Sequence, residues 1–386
     1  MRVTTRIDWR VIRCIGTLGA TSRPKKIELK IVFLVKRFYT NKDLIEDRFG
    51  RLFYFPSILA EMGHECVVFA LDFSNKTELS VRKNNVQFHT IPVKALWRLP
   101  LMGKLFGKLC QSEADVVFSS GDSYIGYLGL RLAKRLSAKS VFDIYDDYSH
   151  FGTNKFPFMR TLLKNAVSKS DLVVCASKSI QEKYRAYQEH TLLVQNGVDG
   201  RIFKPQDKQI ARKRSGVNSG DIVVGYFGSI HKPRGVGDLI VAIERLRTQG
   251  RDVKLLMAGH DYGDVFLDYP WIDYRGMVNQ EDVVALINSC DVVTIPYRDT
   301  EIIRMTNACK LMEYFACSVP VVVSDVSDYA SYFPENFACV SRPSDPESLV
   351  DAITNQLESR KVLDMDSVIS WQKLASRLDE SIRRLF

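Results

Sequence analysis

Short β-branched segments alternate with helical patterns along almost the whole chain, and no tight turn joins two of them into a hairpin. In the first half, strands are predicted at Lys30 to Val35, Glu65 to Leu71, Val86 to Ile91, Asp115 to Ser119, Ser140 to Ile144, Asp171 to Cys175 and Thr191 to Val194. Helical patterns lie between most of them, which predicts βαβ units. This half is therefore expected to be a doubly wound domain with a parallel sheet and helices on both faces.

The segment "QNGVDGRIFKPQDK", residues 195–208, interrupts this pattern with glycine, proline and charged residues, as linkers do. A second series of strands is predicted at Ile222 to Phe227, Lys254 to Met257, Asp291 to Ile295, Val319 to Val323 and Phe337 to Val340, again with helices between them. The segment "SWQKLASRLDESIRRLF" then predicts an amphipathic C-terminal helix. We therefore expect an α/β chain with two tandem doubly wound domains and a ligand in the cleft between them.

The charge of the chain is uneven. Residues 1–200 contain 31 Lys and Arg against 19 Asp and Glu, whereas residues 201–386 contain 23 against 26. A basic first half favours an anionic partner, either membrane lipid, a lipid-linked phosphate or nucleic acid. Because the chain has no nucleic-acid-binding motif, a nucleic-acid partner is not expected. The expected parts are a basic extension (1–28), a first, acceptor-binding domain (29–198), a second, nucleotide-binding domain (199–365) and a C-terminal helix (366–386).

No segment approaches the roughly 20 consecutive apolar residues that a membrane-spanning helix requires. The most apolar segment near the N-terminus, Val11 to Leu18, contains Arg13 and is too short for a secretory signal. The eight cysteines include no C-x-x-C pair, which favours buried thiols in a reducing compartment over a metal site. These features predict a cytoplasmic protein without a bound metal.

A glycine-rich turn follows the first strand of the second domain, in "VVGYFGSIHKPRGVGDLIVAIERL". Gly228 and Gly235 permit a close backbone approach, Lys232 and Arg234 supply positive charge, and a helix begins near Gly237. Such a turn can hold a diphosphate through its N–H groups and the helix dipole. Turns of this kind also serve packing alone in many α/β domains, so both interpretations stay open here.

The segment "CKLMEYFACSVPVVVSD" predicts a helix that carries one cation and one anion. Thr306 or Asn307 is the predicted N-cap, Lys310 lies one turn in, and Glu313 lies about 4 to 5 Å further along. Lys310 could reach a phosphate, and the carboxylate of Glu313 suits the vicinal hydroxyls of a ribose. The alternative is a solvated salt bridge between Lys310 and Glu313, which lie three residues apart.

Four segments together resemble one family: "GSIHKPRGVGDLIVAI", "LLMAGH", "CKLMEYFACSVPVVVSD" and the linker "LVQNGVDGRIFKP". In order and spacing they are similar to the retaining glycosyltransferases of family four, which have two Rossmann-like domains (the GT-B fold) and use nucleotide sugars. The resemblance implies transfer of a hexose, with retention of configuration, to a cell-envelope glycan or lipid-linked acceptor. It also implies metal-independent chemistry with no cofactor besides the donor.

The resemblance assigns roles to residues of this chain. Arg234 and Lys310 would stabilise the departing diphosphate, and Asp146 would orient an acceptor hydroxyl, although Asp146 and Asp147 could instead cap the following helix. The residues expected to bind the nucleotide are Gly228, Ser229, Lys232, Gly235, Thr306, Asn307 and Glu313. No residue is expected to bind a metal.

The chain departs from the family pattern on the side of the sugar and the acceptor. Ser229 stands where an arginine is frequent, and Met305 stands where the family has the first of two glutamates. The segment "VKRFYTNKDLIED" replaces a Gly-Gly loop, and Tyr145 takes the place of a histidine. A nucleotide-sugar epimerase or hydrolase on the same fold, or a non-catalytic nucleotide-sugar-binding subunit, therefore remains an alternative.

The segment "KALWRLPLMGKLFGKLC", residues 94–110, mixes apolar and basic side chains. A segment of this composition can lie on an anionic bilayer, which would place the protein at the inner membrane face. The alternative is a helix that packs in the core and leaves a solvated cationic face.

Overall fold

The computed structural model describes residues 28–39, 42–74, 78–93, 107, 109, 113–148, 156–306, 309–334, 338–364 and 367–386. Within these ranges the chain forms two sheets of mainly parallel strands, with helices packed against them. The predicted α/β fold with two doubly wound domains is therefore confirmed. No helix in the described ranges is both long enough and apolar enough to cross a membrane.

The first domain contains one large sheet and a short two-stranded ribbon. Its strands are Lys30–Lys36 (β1), Phe38–Tyr39 (β2), Lys42–Asp43 (β3), Glu65–Asp72 (β4), Leu79–Lys83 (β5), Val86–Pro92 (β6), Val116–Ser120 (β7), Lys139–Ile144 (β8), Leu172–Cys175 (β9) and Thr191–Leu193 (β10). Its helices are Arg51–Glu61 (α1), Ser123–Leu136 (α2), Pro157–Lys169 (α3) and Lys178–Arg185 (α4). The large sheet has the order β10-β9-β8-β7-β1-β4-β6-β5, and only β5 is antiparallel to its neighbour.

The antiparallel β5–β6 pair is a hairpin, so the expectation of no tight hairpin is wrong. Its two turn residues, Asn84 and Asn85, have φ angles of 50° and 61°. This left-handed conformation matches the twist of the flanking strands. Asparagine tolerates it because its short polar side chain can hydrogen-bond locally.

The second domain contains a six-stranded, fully parallel sheet. Its strands are Ile222–Phe227 (β11), Val253–Ala258 (β12), Ile272–Tyr274 (β13), Val292–Ile295 (β14), Val321–Ser324 (β15) and Val340–Ser341 (β16), in the order β13-β12-β11-β14-β15-β16. Its helices are Lys208–Ser215 (α5), Val236–Thr248 (α6), Gln280–Ser289 (α7), Glu301–Arg304 (α8), Cys309–Ala316 (α9) and Pro346–Ser359 (α10). The predicted helix between β12 and β14 is present as α7, but the short strand β13, which the sequence analysis did not predict, precedes it.

The C-terminal helix, Trp371–Arg383 (α11), packs against α1 of the first domain. The Trp371 ring stacks on Tyr54 at a centroid distance of 5.3 Å. At the other end of the contact, His64 is buried, and its Nδ1 accepts the backbone N–H of Leu29 at 3.1 Å. Its Nε2 lies 2.9 Å from Oδ1 of Asp379 and 2.9 Å from Nη2 of Arg383, both on α11. Helix α11 is thus part of the core of the first domain.

The two domains touch through the N-terminus of α4 and the loops after β14 and β15. The Ser177 hydroxyl donates to the carbonyl oxygen of Met305 at 3.2 Å. The backbone N–H of Lys178 donates to Asp328 Oδ2 at 3.1 Å. Since these loops follow the carboxyl ends of parallel strands, the strand ends of both sheets face the same cleft.

Candidate functional site

The turn after β11 packs against the loop after β12 and against the Lys310 side chain. Gly228 has a φ of 150°, and a Cβ atom there would lie 1.9 Å from Nζ of Lys310. Gly259 has a φ of 144°, and its Cβ would lie 1.9 Å from the carbonyl oxygen of Gly228. Because both residues lack a side chain, the Lys310 ammonium lies directly against the backbone of the turn.

The N-terminus of α6 is held against the end of β14. Its N-cap, Gly235, has a φ of 67°, and a Cβ there would lie 1.6 Å from the carbonyl oxygen of Pro296. In the first turn of α6, Asp238 accepts two hydrogen bonds from Arg298, at 2.6 and 2.7 Å. Because Arg298 neutralises this carboxylate, the positive end of the helix dipole remains available to an anion.

Arg234 and Lys310 lie against buried tyrosine rings. Cζ of Arg234 is 4.6 Å from the ring centroid of Tyr297. Nζ of Lys310 is 5.0 Å from the ring centroid of Tyr226 and 5.5 Å from that of Tyr297. Within the described ranges, neither cation forms an ion pair with a carboxylate. Two adjacent cations with no carboxylate at ion-pair distance in the described ranges are an arrangement that suits a multiply charged anion such as a diphosphate.

The pKa of the Tyr297 phenol depends on both cations, Arg234 and Lys310. Burial alone would raise the pKa of its phenol, but the charges of Arg234 and Lys310 lower the pKa below its ordinary value. Sequence reasoning missed both Tyr226 and Tyr297. A signal was present for Tyr297, because it follows the predicted strand Asp291 to Ile295 at the sheet edge where ligands bind.

Glu313 and Lys310 extend from α9 to different surroundings. The two residues form no ion pair in the described part of the chain, so the predicted alternative of a solvated salt bridge is wrong. Lys310 lies on the tyrosine rings, whereas Glu313 lines a narrow cavity together with Gly50, Tyr54 and Trp371, among others. Burial raises the pKa of Glu313, although the charges of Lys42 and Lys310 oppose this shift. In the described part of the chain this half-buried carboxylate has no ion-pair partner, and both of its oxygens can accept hydrogen bonds from hydroxyl groups.

Asp146 and Asp147 follow β8 at the edge of the first sheet. Burial raises the pKa of Asp146 to about 6, and the Arg234 cation of the second domain opposes that shift across the cleft. Asp147 accepts two hydrogen bonds from Lys183, at 2.8 and 2.9 Å. Helix α3 has Phe156 at its N-cap, so the expectation that one of the two aspartates caps this helix is wrong. Asp146 thus lies near enough to Arg234 of the second domain for the two charges to interact.

The remaining predicted residues surround this centre. Lys232 is exposed, and its backbone N–H donates to Asp264 Oδ2 at 3.1 Å, which joins the turn to the loop after β12. The carbonyl oxygen of Ser229 accepts a hydrogen bond from the Tyr226 hydroxyl at 2.7 Å. The Thr306 hydroxyl donates to Ile303 at the end of α8, at 2.9 Å. Asn307 lies outside the described residues.

Met305, at the place of the first family glutamate, takes part in the contact between the domains. Its carbonyl oxygen accepts the Ser177 hydrogen bond. The neighbouring carbonyl, that of Thr306, accepts a hydrogen bond from Ser327 Oγ at 2.7 Å. The main chain before α9 is therefore held from both domains, which sequence reasoning did not anticipate because these contacts span more than 20 residues.

Two family models match the chain. A model described as "Glycosyltransferase Family 4" matches residues 58–200, and one described as "Glycosyl transferases group 1" matches residues 221–359. The second match contains Gly228, Arg234, Lys310 and Glu313. Together the two models cover more than half of the chain, one on each domain.

The chain is also similar to individual glycosyltransferases, in sequence and in structure. The chain is 27% identical over 193 residues to D-inositol 3-phosphate glycosyltransferase of Stackebrandtia nassauensis, a match that covers 44% of this chain but only 42% of that relative. It is 23% identical over 303 residues to alpha-monoglucosyldiacylglycerol synthase of Acholeplasma laidlawii, covering 70% of this chain and 75% of that relative. The structure of Anabaena HepE with UDP-glucose aligns with a TM-score of 0.63 at 16% identity, covering 93% and 97% of the two chains. Each domain thus matches a glycosyltransferase family model over part of the chain, and the chain has the fold of the aligned structure, the GT-B fold.

Proposed function

We propose that the chain is a glycosyltransferase that moves a hexose from a nucleoside diphosphate sugar to a cell-envelope glycan or a lipid-linked acceptor. The observation that carries this proposal is the pair of cations, Arg234 and Lys310, which lie on tyrosine rings beside the glycine turn. An unpaired cation pair at a helix N-terminus suits a diphosphate. Glu313, one turn beyond Lys310, would accept hydrogen bonds from the ribose hydroxyls.

The proposed reaction retains the configuration of the sugar. The bond between the anomeric carbon and the diphosphate oxygen breaks, and the acceptor oxygen bonds to that carbon on the same face. The acceptor proton passes to the departing diphosphate. Arg234, Lys310 and the N-terminus of α6 would stabilise the charge that develops on the diphosphate, a role that requires neither a protein nucleophile nor a metal. Lys232, at the exposed rim, would add a further positive charge.

The acceptor would bind on the side of the first domain, next to Asp146, which lies just after β8. Its proposed lipid or envelope character is supported by the basic composition of residues 1–200 and by the relative named for a diacylglycerol product. Most of the basic, apolar segment 94–110 lies outside the described residues. Leu109, which is described, is fully buried against α2, so at this position core packing is observed rather than membrane contact.

The experiment that tests the proposal measures nucleoside diphosphate release from UDP-, GDP- and ADP-hexoses, with and without bacterial envelope glycan or lipid extracts. We expect release from one of the donors, and only when an acceptor fraction is present. Release without any acceptor would indicate a hydrolase. Binding of a donor without turnover under any condition would indicate the non-catalytic alternative.

Transfer is expected to depend on the ionisation of Asp146. With a pKa of about 6, the carboxylate is mostly ionised at pH 7 and mostly protonated at pH 5, so the rate should fall roughly tenfold between these values. Asp146→Asn should lower the rate and remove this inflection. Burial raises the pKa of the folded state, so protonated Asp146 stabilises the fold below about pH 4 and this contribution is lost as the pH rises through about 6.

The variant should therefore gain stability over the wild type at pH 7 but not at pH 4, as read from thermal unfolding at both values. An unchanged pH profile in Asp146→Asn would show that another group titrates.

A further inference from the structure

Helices α2 and α3 lie side by side on the first domain and carry charge of one sign. Their basic residues, all exposed, are Arg131, Lys134, Arg135, Arg160, Lys164 and Lys169. Neither helix contains Asp or Glu. In the described part of the chain, none of these six side chains forms an ion pair. We call this the α2–α3 surface.

Two phenylalanines extend the α2–α3 surface at the start of α3. Phe156 is 57% exposed and Phe158 is 58% exposed, and their rings stack at a centroid distance of 6.4 Å. Tyr187, 47% exposed, lies at the same surface, with Nζ of Lys164 at 5.2 Å from its ring centroid. Aromatic rings beside unpaired cations are typical of surfaces that meet both lipid headgroups and acyl chains.

The α2–α3 surface reaches the rim of the cleft. Helix α3 follows β8 and runs antiparallel to it, so α3 begins at the carboxyl edge of the sheet. Asp146, two residues beyond the end of β8, lies at that same edge. Phe156 and Phe158 are therefore on the cleft side of the first domain.

Charge selects the partner of this surface. The N-terminal segment 1–26 carries seven basic residues and one acid, and the whole chain has a net charge of +9, so the segment and a second copy of the chain would both be repelled. We propose that the α2–α3 surface docks on an anionic lipid bilayer, with Phe156 and Phe158 inserted at the headgroup level. The docking itself is independent of catalysis, whereas its consequence, a cleft that opens at the bilayer, rests on the proposed function.

The test is flotation of the full chain with vesicles of phosphatidylcholine containing about 30% phosphatidylglycerol, compared with phosphatidylcholine alone. Arg160→Glu with Lys164→Glu should lower the bound fraction at least tenfold, since each basic residue near such a surface contributes roughly fivefold. Phe156→Ser with Phe158→Ser should lower it to a similar extent. The matched controls are Phe266→Ser, a ring 65% exposed in the second domain, and Lys213→Glu on α5, which should both bind like the wild type.

Several outcomes would overturn the proposal. One is equal binding to both kinds of vesicle, and another is binding that survives both substitution pairs. A third is loss of binding only in the double variant Lys104→Glu with Lys108→Glu, because that result would place the membrane contact in segment 94–110. Binding to a single-stranded oligonucleotide but not to vesicles would identify a nucleic-acid surface instead. Titration with UDP, GDP and ADP, which the two substitution pairs should leave unchanged, tests the proposed function separately.

Discussion

Arg234→Ala is expected to lower sugar transfer by a factor of about 10² to 10³ while the thermal unfolding midpoint stays nearly unchanged. The guanidinium lies on Tyr297 beside the Lys310 ammonium, where a departing diphosphate would place its charge. Arg234 has no ion-pair partner in the described ranges, so its removal breaks no salt bridge, although the buried Asp146 loses a nearby positive charge. The ring contact that is lost contributes about 1 kcal/mol or less. Initial rates of nucleoside diphosphate release and calorimetric unfolding measure the two effects.

Two further variants show whether the effect of Arg234→Ala comes from the loss of the guanidinium at this position. Arg234→Lys keeps the charge but loses the planar pair of donors, so it should recover only part of the rate. Arg342→Ala removes an exposed arginine of the same domain that pairs with Asp345, and it should leave the rate unchanged. Full turnover in Arg234→Ala together with a clean unfolding transition would contradict the assigned role of this guanidinium.

Glu313→Gln is expected to weaken nucleotide binding by about 1.5 to 3 kcal/mol, a tenfold to hundredfold rise in Kd. Charge-assisted hydrogen bonds to the ribose become neutral ones, and one acceptor oxygen becomes a donor facing the hydroxyls. Because burial raises the pKa of Glu313, the neutral amide should not destabilise the fold. Titration calorimetry with the nucleoside diphosphate and with its 2′,3′-dideoxy analogue measures the effect.

Comparing the affinities for the nucleoside diphosphate and for its dideoxy analogue shows whether Glu313 contacts the ribose hydroxyls. Wild-type protein should discriminate strongly against the dideoxy form, and Glu313→Gln should discriminate much less. Glu244→Gln, an exposed glutamate on α6, is the matched control and should behave like the wild type. If both Glu313→Gln and the wild type discriminate equally, the ribose is held by other residues.

The sequence was sufficient for the architecture because the strands are marked locally. The run Val321, Val322 and Val323 is buried on both faces of a parallel sheet, and such strands read as continuous apolar segments. The Asn84–Asn85 hairpin was missed although its signal is also local, since asparagine adopts positive φ more readily than most other residues that have a side chain. Periodicity therefore identified the strands better than it identified the turns.

The site was only partly predictable, because its decisive contacts are not local. Lys310 and Glu313 were identified as a pair, but only the fold shows that Lys310 turns toward Tyr226 and Tyr297, residues of two other strand ends. The hydrogen bond from Ser177 to Met305 joins residues 128 positions apart. No motif spacing carries such information, since it arises from the packing of two domains.

The return of α11 to the first domain constrains how the chain can fold during synthesis. Trp371, Leu374, Leu378 and Ile382 complete an apolar core that also contains residues of α1. The ribosome must therefore release the residues of α11 before that core can close, whereas all strands of the second domain have already emerged. The second domain can therefore fold first on its own sheet, while an apolar face of α1 in the first domain stays exposed to water until α11 has been made.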